Sequence, residues 1–123
     1  MPLTEISTSL QVMSGATASS TLAQIKGKIY AVIVRTSASN TFHVYSLKQD
    51  GSTADVDILG SSMTPLTIAS DTVYYPRIQA VGAAGTGIAG VYDMHYVDAE
   101  IKVDVASGTA ADTYNIIVVY EPA

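Results

Sequence analysis

Apolar and polar residues alternate along most of this 123-residue chain, and this alternation constrains the fold more than any other feature. The first run, residues 6–12, places Ile, Thr, Leu and Val at every second position, with Ser or Gln between them. A period of two is typical of a β-strand with one buried face, because successive side chains point to opposite faces of a sheet. Val, Ile and Thr, which favour strands, contribute 13, 11 and 13 residues. The sequence therefore predicts a protein built of strands.

About eight strands are predicted, joined by turns rich in Gly, Ser and Asp, and the sequence has no long helical pattern. These features favour an all-β, single-domain antiparallel β-sandwich of the jelly-roll type, with a Greek-key sandwich or a small barrel as alternatives. Residues 1–20 are predicted to form an N-terminal strand or arm and a flexible loop, and residues 21–123 the sandwich domain. Residues 21–26 fit either one helical turn or the start of a strand.

The clearest local signal is the dipeptide Asp50-Gly51, which favours a two-residue type I′ hairpin turn. With this turn, Leu47 lies opposite Ala54 and Tyr45 lies opposite Val56. One face of the hairpin is then apolar and the other mostly polar. A slip of one residue would move two aspartates onto the apolar face, so the hydrophobic pattern supports this register.

Two longer predicted strands contain interruptions. Pro76 lies within the run 72–81, and a proline inside a strand indicates an edge position or a bulge. In the run 91–105 the pattern of apolar residues changes near Val97 and Asp98. We therefore expect a bulge, a bend or a break at that point.

The charge composition, the short apolar runs and the first residues of the chain each argue against a class of function. Eleven acidic residues against six basic ones give a net charge of -5, so we expect no nucleic-acid partner, because that binding depends on Lys and Arg. The apolar runs are shorter than the ~20 residues that span a bilayer, and the first residues lack the features of a secretory signal. Only 14% of residues are charged, against roughly 25% in ordinary domains, which leaves a surface that partners bury easily.

No motif in the chain supports catalysis. Residues 85–90 match the letters of GxGxxG, but a strand pattern follows them where a dinucleotide site needs a helix. His95 and Asp93 share a strand face, yet their spacing matches no established set of metal ligands. The chain has no Cys and no GxSxG motif. We therefore assign no catalytic residue, no cofactor and no metal ligand, and we predict that the protein is not an enzyme.

The aromatic residues favour a protein interface. Eight Tyr accompany one Phe, and Tyr prefers half-hydrated positions because its hydroxyl needs a hydrogen-bond partner. Tyr, Met and Arg are also enriched where proteins contact each other. A second candidate is the alternating N-terminal run, which is suited to strand addition. The predicted interface residues are Ile6, Leu10, Val12, Tyr74, Tyr75, Arg77, Tyr92, Met94 and Tyr96.

Two stretches, KGKIYAVIVRTSASN and AEIKVDVASGTAADTYNIIVVYEP, resemble the early core strand and the closing unit of the small jelly-roll decoration, or cement, proteins of tailed bacteriophage capsids. The resemblance implies a virion structural protein that is made in the host cytoplasm and binds the major capsid protein on the outer capsid surface as a homotrimer. It implies no enzymatic activity, cofactor, nucleic acid or membrane. The alternative function is a tail or fibre module that binds a host-surface glycan. A small cupin-like enzyme fits poorly, because the chain has only two His.

Overall fold

The computed structural model describes residues 2–48 and 53–123, apart from the side chains of residues 80 and 81. The described chain is all-β and folds as a single domain of antiparallel sheets. No described helix is long and apolar enough to cross a membrane. The strands are β1 (Thr4–Ser7), β2 (Gln11–Val12), β3 (Ala18–Thr36), β4 (Asn40–Leu47), β5 (Ala54–Leu59), β6 (Leu66–Ile68), β7 (Thr72–Tyr74), β8 (Arg77–Val81), β9 (Gly87–Met94), β10 (Tyr96–Ala106) and β11 (Thr113–Pro122).

The described residues form eleven strands, rather than about eight, because three predicted strands are each divided in two. The N-terminal run forms β1 and β2. Pro76 lies between β7 and β8, as its place in the sequence predicts, and His95 separates β9 from β10 close to the predicted break. Residues 21–26 belong to β3, so the strand alternative is confirmed there. Residues 18–20, which the sequence places in a loop, also belong to β3.

The main sheet has nine strands in the order β1-β11-β3-β10-β4-β5, with β2 on β11, β6 on β4 and β7 on β3. β8 and β9 form a separate two-stranded sheet. β3 is the central strand: its first part pairs with β10, and its second part pairs with β11. The two pairings overlap at Gly27 and Lys28, so β10 and β11 lie on opposite edges of β3.

The main sheet curves so that strands distant in the sheet face each other. Phe42 on β4 and Tyr114 on β11 meet edge to face with ring centroids 6.3 Å apart, although β3 and β10 separate these strands in the sheet. Both rings are fully buried. The core between the two halves is built from β3 (Ile29, Val32, Val34), β4 (Phe42, Val44), β10 (Ile101, Val103, Val105) and β11 (Tyr114, Ile116, Val118). This arrangement is consistent with a β-sandwich, and the jelly-roll topology stays a prediction.

The pairing of β4 with β5 corrects the predicted register. Leu47 lies opposite Ala54, as predicted, but Tyr45 lies opposite Asp57 rather than Val56. The cause is a bulge in β5, where Asp55 and Val56 both lie opposite Ser46. The Ser46 hydroxyl accepts a hydrogen bond of 3.2 Å from the Val56 backbone N–H. The predicted turn at residues 50 and 51 lies outside the described residues.

Candidate interaction surfaces

The β8–β9 hairpin leaves the main sheet beside Tyr30 of β3. Its base is fixed to β3 by the Arg77 guanidinium, whose Nη1 donates hydrogen bonds to the carbonyl oxygens of Tyr30 at 3.0 Å and Pro76 at 2.7 Å. The same guanidinium lies 5.8 Å from the centre of the Tyr30 ring. Tyr75 meets Tyr30 edge to face with centroids 5.7 Å apart. Cation–π and aromatic contacts therefore hold these side chains in one arrangement before any partner binds.

Apolar side chains are exposed along this hairpin and at its base. Tyr92 is 60% exposed and Tyr96 is 57% exposed. Tyr114, in contrast, is buried, so this fold can bury an aromatic ring. β9 is exposed along residues 87–93, and Met94 at its base is half-buried. We call the following set the hairpin surface: Tyr30, Tyr75, Ile78, Val91, Tyr92 and Tyr96.

The structure places the predicted tyrosine and arginine candidates in different environments. Tyr75 and Arg77 each contact Tyr30 at the hairpin base, whereas Tyr74 packs against the core. Tyr92 and Tyr96 lie on opposite sides of the break at His95, so they do not form one continuous strand face with Met94. Whether any of these residues contacts a partner stays a prediction.

The second exposed apolar surface is at the N-terminus, where β1 and β2 pair with β11 of the same chain. Leu10 is 68% exposed and Val12 is 64% exposed, whereas Ile6 packs against the core. We call Leu3, Leu10 and Val12 the N-terminal edge, since all three are exposed.

Two buried side chains anchor this N-terminal segment to the body. The Thr8 hydroxyl oxygen accepts a hydrogen bond of 2.9 Å from the Ile116 backbone N–H, and the Thr8 carbonyl accepts one from the Asn115 side-chain amide. Met13 is 1% exposed. The first thirteen residues therefore complete the core of this chain, and deleting them would open that core.

The main cluster of ionisable side chains lies on the β4–β5–β10 face. His43 Nε2 and Asp57 Oδ1 are 2.6 Å apart, and the His43 ring stacks on Tyr45 with centroids 4.2 Å apart. The Tyr45 hydroxyl donates a hydrogen bond of 2.8 Å to Asp104 Oδ2. Burial, followed by this hydrogen bond and the charge of Asp104, raises the pKa of Tyr45 to about 12. The β5 bulge opposite Ser46 creates the cluster, because it places Asp57 opposite Tyr45, on the face that carries His43. These contacts satisfy buried polar groups and stabilise the sheet.

Within residues 2–48 and 53–123, the remaining chemical candidates do not come together in one site. Residues 87–90 of the GxGxxG letters lie in β9, so a strand occupies the place where a dinucleotide site needs a helix. The described residues contain no group of three His, Cys, Asp or Glu side chains that could hold a metal ion. His95 is half-buried at the hairpin base, where burial and the nearby Arg77 charge lower its pKa from the ordinary 6.5.

Sequence reasoning missed Tyr30, Ile78 and Val91 of the hairpin surface. Tyr30 lies in a strongly apolar run that predicts a central strand with both faces buried. The sequence nevertheless indicates that Tyr30 is exposed, because Tyr30 shares its strand face with the charged residues Lys26 and Lys28. Ile78 and Val91 could be found only once the hairpin was known to leave the sheet.

Comparison with known protein families finds no matching family model, and comparison with curated proteins finds no matching relative. Function is therefore inferred from the surfaces of this chain. The two candidates are the hairpin surface and the N-terminal edge, and the paired strands β3 and β11 lie between them.

Proposed function

We propose that this chain is a non-enzymatic structural protein of a phage virion, which decorates and stabilises the capsid by binding the major capsid protein. The observation that carries the proposal is the pair of separate exposed apolar surfaces on one small β domain. A subunit of a coat layer needs two kinds of contact, one to copies of itself and one to the shell beneath. A single surface would provide only one of them.

The N-terminal edge is the proposed contact with the capsid protein. Val12 is exposed on β2 and Leu10 is exposed just before it, at the margin of the sheet, where an extended segment of a partner can add by backbone hydrogen bonds. Burying two such side chains contributes roughly 1.5–3 kcal/mol each.

The hairpin surface is the proposed contact between copies. We further propose that the subunits are jelly rolls and that they form a closed homotrimer on the outer capsid surface.

Capsid binding is tested by placing charge at the N-terminal edge without opening the core. The variant Leu10→Glu/Val12→Glu changes two exposed side chains, and Met63→Glu is the matched control because Met63 is 91% exposed in the loop between β5 and β6. Each protein is mixed with expanded empty capsids assembled from the major capsid protein of the same genome and then co-sedimented. Thermal melts check that each variant folds.

We expect the double variant to bind capsids at least ~10-fold more weakly than the original chain, because the contact would have to bury two carboxylates. The Met63→Glu control should bind normally. Equal binding by the double variant would remove the N-terminal edge from the contact. If the unaltered protein binds no capsid but binds a glycan array, the proposal fails in favour of the glycan-binding alternative.

A further inference from the structure

We infer that an alkylguanidinium group binds in a cavity between β4, β10 and the loop of residues 60–65, which we call the β4–β10 cavity. The cavity is lined by none of the residues of the hairpin surface or the N-terminal edge. The inference therefore goes beyond the proposed function and does not depend on it. It is tested without a capsid, so that the two can fail separately.

The β4–β10 cavity has a volume of about 170 Å³. Hydroxyl groups line it on β4 (Thr41) and on the loop (Ser61 and Ser62), and Pro65 and Ala106 give it a small apolar part. A water molecule takes up about 30 Å³, so the space exceeds what a single ammonium group needs. It can hold a planar guanidinium together with the methylene groups that carry it.

One end of the cavity is formed by Asp104, whose charge is not balanced by a cation. Asp104 is half-buried, and its Oδ2 accepts the hydrogen bond of 2.8 Å from the Tyr45 hydroxyl. In the described residues its Oδ1 has no hydrogen bond, and no Lys or Arg side chain forms an ion pair with it, not even Lys102 on the same strand. A half-buried carboxylate in this state is stabilised by a cation that donates hydrogen bonds to it.

A buried imidazole nitrogen provides a second acceptor at the same end. His43 lies opposite Asp104 in the pairing of β4 with β10, lines the cavity, and has a side chain that is 8% exposed. Its Nε2 lies 2.6 Å from Asp57 Oδ1, and the neutral ring carries its proton on Nε2, because a carboxylate only accepts. Nδ1 is then an acceptor, and it has no hydrogen-bond partner in the described part of the chain.

These groups favour a guanidinium over other ligands. Asp104 Oδ1 and His43 Nδ1 are both acceptors, so the ligand must donate several hydrogen bonds. A guanidinium has five N–H donors in one plane and is more weakly hydrated than an ammonium, so it loses less hydration on entering. A saccharide fits less well, because stacking needs an exposed aromatic face and the neighbouring Tyr45 ring is buried. The described residues offer no set of ligands for a metal ion.

The loop that borders the cavity is held in place before any ligand binds. The Ser61 N–H donates a hydrogen bond of 3.2 Å to the Thr64 carbonyl, and the Thr64 N–H donates one of 2.9 Å to the Ser61 hydroxyl oxygen. Gly60 has φ at 70°, and a Cβ there would lie 2.7 Å from the Phe42 carbonyl oxygen, so the loop packs directly on β4. Binding therefore orders few additional groups, which favours affinity.

NMR tests the binding through the amide shifts of Thr41 and Ser62 as ethylguanidinium is added at millimolar concentration. Ethylurea has nearly the same shape without the charge, and ethylammonium has the charge without the planar set of donors. We expect saturable shifts with ethylguanidinium and at least ~5-fold weaker binding of the other two compounds. Equal binding of ethylurea or of ethylammonium would overturn the inference, as would the absence of saturable shifts with ethylguanidinium.

N-acetyl-arginine amide distinguishes two sources of the bound group. Binding as tight as that of ethylguanidinium would support an arginine side chain of a partner polypeptide as the ligand. Binding at least ~5-fold weaker would support a free small guanidinium compound. Either result agrees with a guanidinium in the β4–β10 cavity.

Two variants test the assigned place of binding. Asp104→Asn removes the charge, while the amide oxygen can still accept the hydrogen bond from Tyr45, and it should weaken ethylguanidinium binding at least ~10-fold. Glu100→Gln is the matched control, because it makes the same change of net charge at an exposed position of β10 outside the cavity, and it should bind normally. Ala106→Leu keeps the carboxylate but fills the cavity, and it should also weaken binding at least ~10-fold.

NMR spectra check that each variant folds, and Ala106→Leu keeps the inference testable if Asp104→Asn does not fold. Unchanged binding in either folded variant would place the ligand elsewhere and overturn the inference. Equal loss in Glu100→Gln would also overturn it, because net charge rather than this cavity would then control binding. If the cavity binds ethylguanidinium but the protein binds no capsid, only the proposed function fails.

Discussion

Tyr45 is buried in β4, and its hydroxyl donates a hydrogen bond of 2.8 Å to Asp104. Tyr45→Phe removes this bond and leaves the Asp104 carboxylate with one partner fewer. We expect a loss of about 1–3 kcal/mol in the free energy of unfolding at pH 7, measured with urea. Tyr92→Phe is the control, because Tyr92 is exposed, and it should change stability by less than about 0.5 kcal/mol.

The pKa of Tyr45 also predicts a dependence of stability on alkaline pH. Because burial and Asp104 raise its pKa from 10.0 to about 12, the folded state holds the phenol proton more tightly than the unfolded state does. The contribution of this raised pKa to the free energy of unfolding is fully present below pH 10 and is lost as the pH rises towards 12. A spectrophotometric titration should therefore show late phenol ionisation that disappears in Tyr45→Phe. An identical titration curve for the variant would contradict this assignment.

The lowered pKa of His95 predicts that stability also falls at acid pH. Burial and the charge of Arg77 lower its pKa, so the folded state prefers the neutral ring. The unfolded state then binds more protons below pH 6.5, and this contribution to stability falls as the pH falls. In Arg77→Gln, the His95 pKa measured by NMR should rise. No change in that pKa would mean that burial alone sets it.

At the scale of elements, Gly27 is the residue at which the backbone of β3 closely approaches that of β11. It lies where β3 passes from β10 to β11, with φ at 156°, and a side chain there would collide with the backbone of Glu121 and Pro122. Gly27→Ala should cost about 2–4 kcal/mol in a thermal or urea unfolding measurement. Gly15→Ala is the control, because a Cβ at Gly15 meets nothing within 4 Å. Similar stability of both variants would show that the close approach at Gly27 is relaxed in solution.

The elements also show what could be predicted from the sequence. Strand type, the interruption at Pro76 and the break near Val97 follow from local rules of periodicity and proline chemistry. The β4–β5 register could not be predicted, because the β5 bulge opposite Ser46 shifts it. The close approach of β3 and β11 at Gly27 joins segments that are distant in sequence, and the hydrophobic pattern carries no information about it.

At the scale of the whole molecule, part of the candidate surface was predictable and part was not. Tyr75 and Tyr92 could be chosen because Tyr is enriched in interfaces, and Leu10 because it lies in an alternating run suited to strand addition; all three are exposed. The same two rules also selected Tyr74 and Ile6, which pack against the core. Composition cannot separate the two groups, since the pairing of β1 with β11 and of β7 with β3 places Ile6 and Tyr74 against the core.

The proposed self-association would couple the stability of this molecule to its concentration, because partners that bind only the folded state raise the melting temperature. A ~100-fold increase in protein concentration should raise that temperature by about 5–10 °C. Tyr96→Ala removes a 57%-exposed ring from the proposed contact and should weaken association by roughly 1–3 kcal/mol while the isolated fold survives. In Tyr96→Ala, the melting temperature should then begin to rise only at higher protein concentrations. Met63→Ala should leave it unchanged, since Met63 lies in an exposed loop. Melting that is independent of concentration in the unaltered protein would contradict assembly, and unfolding of Tyr96→Ala would assign the ring to the core.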